Sequence, residues 1–323
     1  MASQRGRKSV SSRSLGVSTT SSANLGFVET LKVLTGQVSG TPADRVADAL
    51  PAVVLAVLGG ISLALSGAIF QTVTRNPLGS PDIIGFTTGA YTGALIAMLV
   101  FGLGSTGTTV GALIGCLLTG FALWWLGMRG GTGNYRFIIV GIGISAMLVA
   151  FNGYLVSTAS TQNAGAAAAW GMGSLSNLTM SDTIPVFVVL AVLIPALITV
   201  APRMRMFELG PDSAQSKGVN TGSTEILLLI LGVGFAAATT AIAGPIAFVA
   251  LVAPQLAARL TPSAGIPLVT SAAVGATLLV SSDAIARTIL APTTQLPVGV
   301  VTNSLGGIYL LFLLISQARK ARL

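Results

Sequence analysis

The chain has 323 residues, of which 52% are hydrophobic and only 8% charged, and its formal net charge is +8. A soluble domain carries roughly 25% charged residues, so this composition excludes a water-soluble globule and indicates that most of the chain contacts lipid. The chain has no His and a single cysteine, Cys116. These counts exclude an intrachain disulfide, a His/Cys metal site and a Cys-His nucleophile pair.

The predicted elements begin with a polar, basic N-terminal segment, residues 1–45, whose composition is compatible with disorder. Residues 1–26 contain neither a spanning run nor the apolar core of a signal peptide. Residues 46–323 form the predicted membrane domain, since they hold nine apolar runs close to the roughly 20 residues that a membrane-spanning helix needs. The runs are 53–70, 83–101, 109–128, 137–156, 184–201, 226–243, 246–260, 268–290 and 298–315.

These runs predict an all-α fold, a polytopic membrane bundle of about nine helices. Lys and Arg fall almost entirely in alternate connections between the runs, which by the positive-inside rule places those connections and the C-terminus in the cytoplasm. The basic N-terminal segment does not fit, because nine helices that end inside must begin outside. Either a first helix is missing, or the short run 246–260 does not cross in the expected way.

The longest charged connection, residues 202–225, allows two interpretations. It is polar and contains both acidic and basic residues. Such a segment could be a solvated loop, or it could be a docking surface for a cytoplasmic partner.

Several kinds of chemistry are excluded by what the sequence lacks. No G-x-x-x-x-G-K-[ST] loop occurs, so any ATP used must be hydrolysed on another chain. The predicted helix centres are nearly empty of ionisable residues, which argues against a secondary carrier with a proton or sodium relay. Asp283 and Arg287 are the exception, and their spacing of four residues predicts either a local ion pair or a pair whose arginine anchors an acidic partner outside.

Polar and small residues mark possible contacts inside the bundle. Asn152, Gln255 and Asn303 lie at membrane depth, and each could form an interhelical hydrogen bond or line a hydrophilic path. Gly111 and Gly115 have the small-xxx-small spacing that lets helix backbones approach closely in lipid.

Six stretches of sequence carry a family resemblance. The segment SGAIFQTVTRNPLGSPDIIGFTTGA at residues 66–90 resembles the segment that marks permease subunits of the iron-siderophore and vitamin B12 class of bacterial ABC importers. Five further matches follow in the same order, at residues 170–179, 209–219, 243–260, 282–287 and 296–314. The resemblance extends from residue 27 to the end. Within the family the chain resembles the permease subunits for ferric enterobactin, a catecholate.

The resemblance implies a ten-helix permease that pairs with a second, identical or related permease around a central path. It also implies a binding protein that delivers the ferric chelate outside and two ATPase subunits that dock inside and bind ATP and Mg²⁺. This chain is then expected to bind no cofactor or metal and no nucleic acid.

The resemblance also assigns roles to individual residues. Arg287 is the position expected to dock the binding protein. Asn152, Gln255 and Asn303 are candidates for the path or its gate from their polarity and depth alone. The family motif loop includes Arg75, Asn76, Pro77, Pro81 and Asp82, and the ATPase-coupling residues are Leu209, Gly210, Asp212, Ala214 and Gly218.

Three departures separate the chain from the family pattern. A Ser/Arg-rich stretch stands where the first helix is expected, which suggests a wrong start site or a degraded gene. The usual R-L-P-R becomes Ala49-Leu50-Pro51-Ala52, so two arginines expected to engage the binding protein are absent. The usual Pro-His becomes Pro254-Gln255, which keeps hydrogen bonding and removes a titratable group.

The sequence therefore predicts a multi-pass permease subunit of the bacterial inner membrane that imports a ferric siderophore, with a catecholate as the expected substrate. The alternative within the family is haem or cobalamin. The alternative classes are a secondary carrier, or a membrane scaffold that does not transport.

Overall fold

The computed structural model describes residues 41–128, 133–176, 178–263, 265–289 and 295–320. The chain divides into two units, Met1–Asp48 and Ala49–Leu323, and the fold described below is that of the second. Of the predicted N-terminal segment, residues 1–40 lie outside the described part, and residues 41–45 form the start of the first helix.

The described residues form helices and connections, with no β-strand in these ranges. Two helices continue into a π-helical turn, Ile96–Val100 after α3 and Trp124–Met128 after α4. In chain order the helices are α1 Thr41–Thr74, α2 Pro81–Ile84, α3 Phe86–Leu95, α4 Ser105–Leu123, α5 Gly133–Thr158, α6 Thr161–Gly171, α7 Met180–Glu208, α8 Pro211–Ser216, α9 Thr221–Ala243, α10 Val249–Leu260, α11 Leu268–Ile289 and α12 Val298–Lys320.

The prediction of an all-α membrane bundle is confirmed. Within the described ranges, six helices are long and apolar enough to cross a membrane, namely those containing α1, α4, α5, α7, α9 and α11. Three shorter apolar helices, Phe86–Val100, Val249–Leu260 and Val298–Leu313, correspond to the remaining predicted runs. Each of the nine runs therefore contains a helix in its described residues, and run 246–260 holds the short helix Val249–Leu260, which follows Phe248 with φ 69°.

Two connections differ from their sequence prediction. The uncharged connection after α5 contains a further helix, α6, which begins where the Ser160 hydroxyl accepts a hydrogen bond from the Asn163 N–H at 3.4 Å. The connection predicted over residues 202–225 is shorter, because α7 continues to Glu208 and α9 begins at Thr221. A capping box between Thr179 and Asp182 starts α7, which carries three prolines in its interior.

The core has two parts that share α9. One cluster joins α9 to α1, α7, α10 and α11, and the other joins it to α3, α4 and α5. Two serines of α1 fix it to α9, because the hydroxyls of Ser62 and Ser66 donate to the carbonyls of Phe235 and Gly232, each at 2.7 Å. Helices α3 and α4 touch backbone to backbone, with Gly93 against Gly111.

Candidate functional site

The connection between α1 and α3 is a fixed turn built by the motif residues 75–85. Arg75 adopts a left-handed conformation with φ 48°, and the Asn76 side chain accepts from the Leu78 N–H at 2.9 Å. Pro81 occupies the first turn of α2, where its missing N–H costs nothing. Gly85, with φ 100°, ends α2 and starts α3, so the chain can reverse there at little strain.

Asp82 ties this turn to the beginning of α10. Its Oδ2 atom accepts from the backbone N–H of Phe248 at 3.2 Å, and Phe248 holds a left-handed conformation with φ 69°. The Asp82 Oδ1 atom is buried without a hydrogen-bond partner in the described part of the chain. Burial is also the main reason that the pKa of Asp82 is raised to about 7. The motif thus supplies the carboxylate that fixes the start of a distant helix.

The connection between α7 and α9 contains a compact segment, residues 209–218, that is called the projection below. It begins with an exposed apolar residue. Gly210 and Gly218 flank α8 with φ values of 101° and 80°, a region that favours glycine. Ala214 is buried, and its carbonyl accepts from the Val219 N–H at 3.0 Å, which closes the segment on itself. Leu209 is 58% exposed at the start of the segment. An exposed leucine on an ordered turn is suited to contact another protein.

Two of the predicted site segments meet at this end of the bundle. A Cβ built on Gly210 would lie 3.9 Å from Nη1 of Arg75, so the motif turn and the projection are neighbours. Glu208 connects three elements, because its Oε1 atom accepts from the Thr72 hydroxyl at 3.2 Å and from the Ile266 N–H at 3.3 Å. Glu208 therefore links the start of the projection to α1 and to the connection between α10 and α11.

The three path candidates have different surroundings. Gln255 donates to Gln71 at 2.7 Å, and Gln71 donates in turn to the Leu251 carbonyl at 3.0 Å, so Gln255 forms the interhelical hydrogen bond that was one of its two interpretations. Asn303 is exposed on α12. Asn152 is 4% exposed, and its Oδ1 atom has no hydrogen-bond partner among the described residues.

Arg287 forms the local ion pair that the spacing allowed. Its Nε atom lies 2.7 Å from Oδ2 of Asp283, which is 6% exposed, and its Nη2 atom is buried without a partner in the described ranges. Ala52, which stands at one of the two positions where the family pattern has an arginine, is 4% exposed and lies within the core. A role for Arg287 in docking a binding protein remains a prediction.

Sequence reasoning assigned no role to Gln71, Glu208 or Phe248. Gln71 and Phe248 lie within stretches that carry the family resemblance, but nothing local in the sequence indicates their partners. The described residues contain no group of three His, Cys, Asp or Glu side chains that could hold a metal ion.

Comparisons with known proteins bear on this arrangement. Residues 14–316 match the FecCD transport family. The ferric enterobactin transport system permease protein FepG of Escherichia coli (strain K12) is 46% identical over 271 residues, which cover 84% of this chain and 82% of that protein. The achromobactin transport system permease protein CbrC of Dickeya dadantii (strain 3937) is 35% identical over 83% of this chain and 77% of that protein.

A solved structure supports the fold independently. An inward-facing conformation of a putative metal-chelate type ABC transporter superposes with a TM-score of 0.77 at 23% identity, covering 92% of this chain and 91% of that one. At this identity the likeness establishes the fold alone.

Proposed function

The chain belongs to the FecCD transport family, and from this membership we propose that it is the membrane-spanning permease subunit of an ABC importer for a ferric siderophore. The observation that carries the proposal is the 46% identity to a ferric enterobactin permease over most of both chains. The bundle of apolar helices provides the membrane-spanning part that such a subunit needs.

A catecholate is the favoured substrate, because the enterobactin relative is the most identical of those compared above. The second candidate is haem, since the hemin transport system permease protein HmuU of Yersinia pestis is 35% identical over 83% of this chain. A cobalamin import permease of Halobacterium salinarum is 32% identical over 90% of the chain, which keeps cobalamin as a third.

The energy for transport is proposed to come from other subunits. Because the sequence has no phosphate-binding loop, ATP and Mg²⁺ would bind to two partner ATPases. The projection at residues 209–218 is their proposed docking element, since its exposed Leu209 would contact the ATPase while Glu208 and Arg75 transmit its motion to α1. A second permease and an extracytoplasmic binding protein would complete the importer.

The chain is a multi-pass membrane protein, and we assign it to the bacterial inner membrane with a cytoplasmic C-terminus. This orientation rests on the alternation of basic connections, since Lys and Arg are concentrated on the cytoplasmic side. It places the projection, with Lys217, inside the cell, where an ATPase can reach it.

Uptake of radiolabelled solutes tests the function directly, with labelled iron in ferric enterobactin and haem and labelled cobalt in cobalamin. A strain that lacks its own permeases for all three solutes is supplied with this chain and its neighbouring transport genes, then given each solute in turn. We expect uptake of the ferric catecholate and no rescue with the other two. Rescue by cobalamin or haem alone would contradict the substrate assignment, and rescue by none would contradict the importer.

Substitutions in the projection test the coupling role. Gly210→Ala forces a side chain onto a backbone with φ 101° and ψ 153°, a region essentially restricted to glycine, at a cost of roughly 1–3 kcal/mol, and so displaces α8. We expect this variant and Asp212→Asn to lose uptake while the protein still inserts into the membrane. Gly222→Ala is the matched control, because the nearest atom to its Cβ is 3.8 Å away, at Asn220 Oδ1. Normal uptake by Gly210→Ala would refute the docking assignment.

A further inference from the structure

A pocket of about 410 Å³ lies between α3, α5, the end of α6 and the connection that follows α9. Its walls include Thr88 and Tyr91 from α3, Asn152 and Gly153 from α5, and Pro245. The volume falls at the lower end of the range for small-molecule sites, about 300–1,000 Å³. It is large enough for one arm of a chelate and too small for a whole hexadentate ferric complex.

The pocket contains a hydrogen-bond acceptor that the described chain does not satisfy. Asn152 lines it, is 4% exposed, and has a buried Oδ1 atom without a partner among the described residues. A buried polar atom without a partner is unfavourable. Polar side chains at membrane depth almost always face a bundle interior or a water-filled cavity and are often functional.

Two other polar side chains of the pocket, Thr88 and Tyr91, have hydrogen-bond partners. The Thr88 and Ser145 hydroxyls are 3.3 Å apart, and the Tyr91 hydroxyl donates to the Ala167 carbonyl at 3.1 Å. The Tyr91 ring stacks on Trp170, with ring centroids 6.0 Å apart and planes inclined by 10°. Asn152 Oδ1 is thus a buried acceptor without a partner among the described residues, on a side chain that lines the pocket.

The chemistry of the lining limits what can bind. None of the described residues that line the pocket is Lys, Arg, Asp or Glu. The pocket therefore suits an uncharged portion of a solute, and the acceptor requires that this portion present an N–H or O–H donor. A planar group could also lie against the Tyr91 ring.

We propose that this pocket is a solute-contacting subsite of the permease, in which Asn152 Oδ1 accepts a hydrogen bond from an amide N–H or a hydroxyl on one arm of the transported chelate. This inference rests on the proposed function. It specifies which residue contacts the solute and which part of the solute it contacts. The charged ferric centre stays outside the pocket, which has no cation to offset its charge.

Two substitutions separate this role from a structural one. Asn152→Leu removes the acceptor at similar volume, and Asn152→Thr keeps an acceptor oxygen. We expect Asn152→Leu to lower the maximal rate of ferric-enterobactin uptake roughly 3- to 10-fold, because this is the effect of losing one hydrogen bond. The melting temperature of the assembled transporter should not fall. Asn152→Thr should recover part of the rate.

Unchanged uptake by Asn152→Leu, or a parallel fall in uptake and melting temperature, would overturn the subsite. The proposed function fails differently, because the wild-type importer would then not take up ferric enterobactin at all.

A cysteine in the pocket reports contact with the solute. Cys116 is the only cysteine of the chain and is buried, so Asn152→Cys can be modified selectively in the assembled transporter. We expect a charged methanethiosulfonate to react with it, and ferric enterobactin delivered by its binding protein to slow that reaction. The proposal would be overturned if Asn152→Cys reacted with apolar maleimides alone, or if ferric enterobactin did not change the rate of its modification. The wild-type chain is the control.

Discussion

Helices α1 and α5 are both apolar and long enough to cross a membrane, yet they are packed very differently. In the apolar stretch of α1, 72% of the residues are buried within the chain, and in that of α5 only 11% are. Helix α1 places small residues against neighbouring backbones, with Gly60 against Gly275 and Gly67 against the Ala250 carbonyl. Helix α5 leaves Met147 and Tyr154 more than 60% exposed.

The difference shows that apolar composition identifies a spanning helix without indicating its position in the bundle. Without a hydrophobic force between helices in lipid, close packing and hydrogen bonds decide which helices associate. Helix α1 has both, through its glycines and through Ser62 and Ser66. Helix α5 has few such contacts, so lipid, another subunit or the transport path must lie against its exposed face.

The largest expected effect comes from overfilling the α1 contact. In Gly67→Val the new Cβ would overlap the Ala250 carbonyl oxygen, which belongs to backbone and cannot rotate away. Overpacking costs about 1–3 kcal/mol or more. We therefore expect little folded protein after detergent extraction, as measured by size-exclusion chromatography and thermal melting.

Gly165→Val provides the matched control on α6, because no described atom lies within 4 Å of its Cβ position. This variant should elute and melt close to the wild type. If Gly67→Val folds as well as Gly165→Val, the close approach of α1 to α10 is not needed for stability.

A smaller effect is expected where α1 is held by a hydrogen bond. Gln71→Leu leaves both Gln255 and the Leu251 carbonyl without their partner, and an unmade buried hydrogen bond costs about 1–3 kcal/mol. The melting temperature should fall by several degrees. The double variant Gln71→Leu/Gln255→Leu should recover part of the loss, because it removes one of the two orphaned groups. Additive losses in the double variant would show that the two side chains do not interact.

The presence of the long helices, though not their ends, was predictable from sequence, because a continuous apolar run is a local property. Helix α6 was missed for the same reason: its Ala- and Gly-rich residues are too few and too weakly apolar to form a run. Ser160 before it was a usable signal, since a serine whose hydroxyl accepts from the third following N–H is a common helix start.

The site was only partly predictable, because its geometry depends on contacts between distant residues. The motif residues were identifiable as a set, but Gln71 and Gln255 are 184 positions apart, and nothing in either segment reveals the other. The same holds for Asp82 and Phe248, which are 166 positions apart. Asn152 could be chosen as a candidate from its type and depth, whereas its unsatisfied oxygen depends on the packing of three elements.

The smallest expected effect has the opposite sign and falls on the exposed face of α5. No described atom lies within 4 Å of the Cβ position of Gly143, so Gly143→Ala adds a methyl group to open space. Alanine is favoured over glycine in a helix by roughly 0.5–1 kcal/mol, and the isolated chain should melt slightly higher. The assembled importer should melt higher too if this face meets lipid. A lower melting temperature for the assembly alone would place Gly143 against a second subunit, because in lipid a helix backbone is approached closely only where small residues allow it.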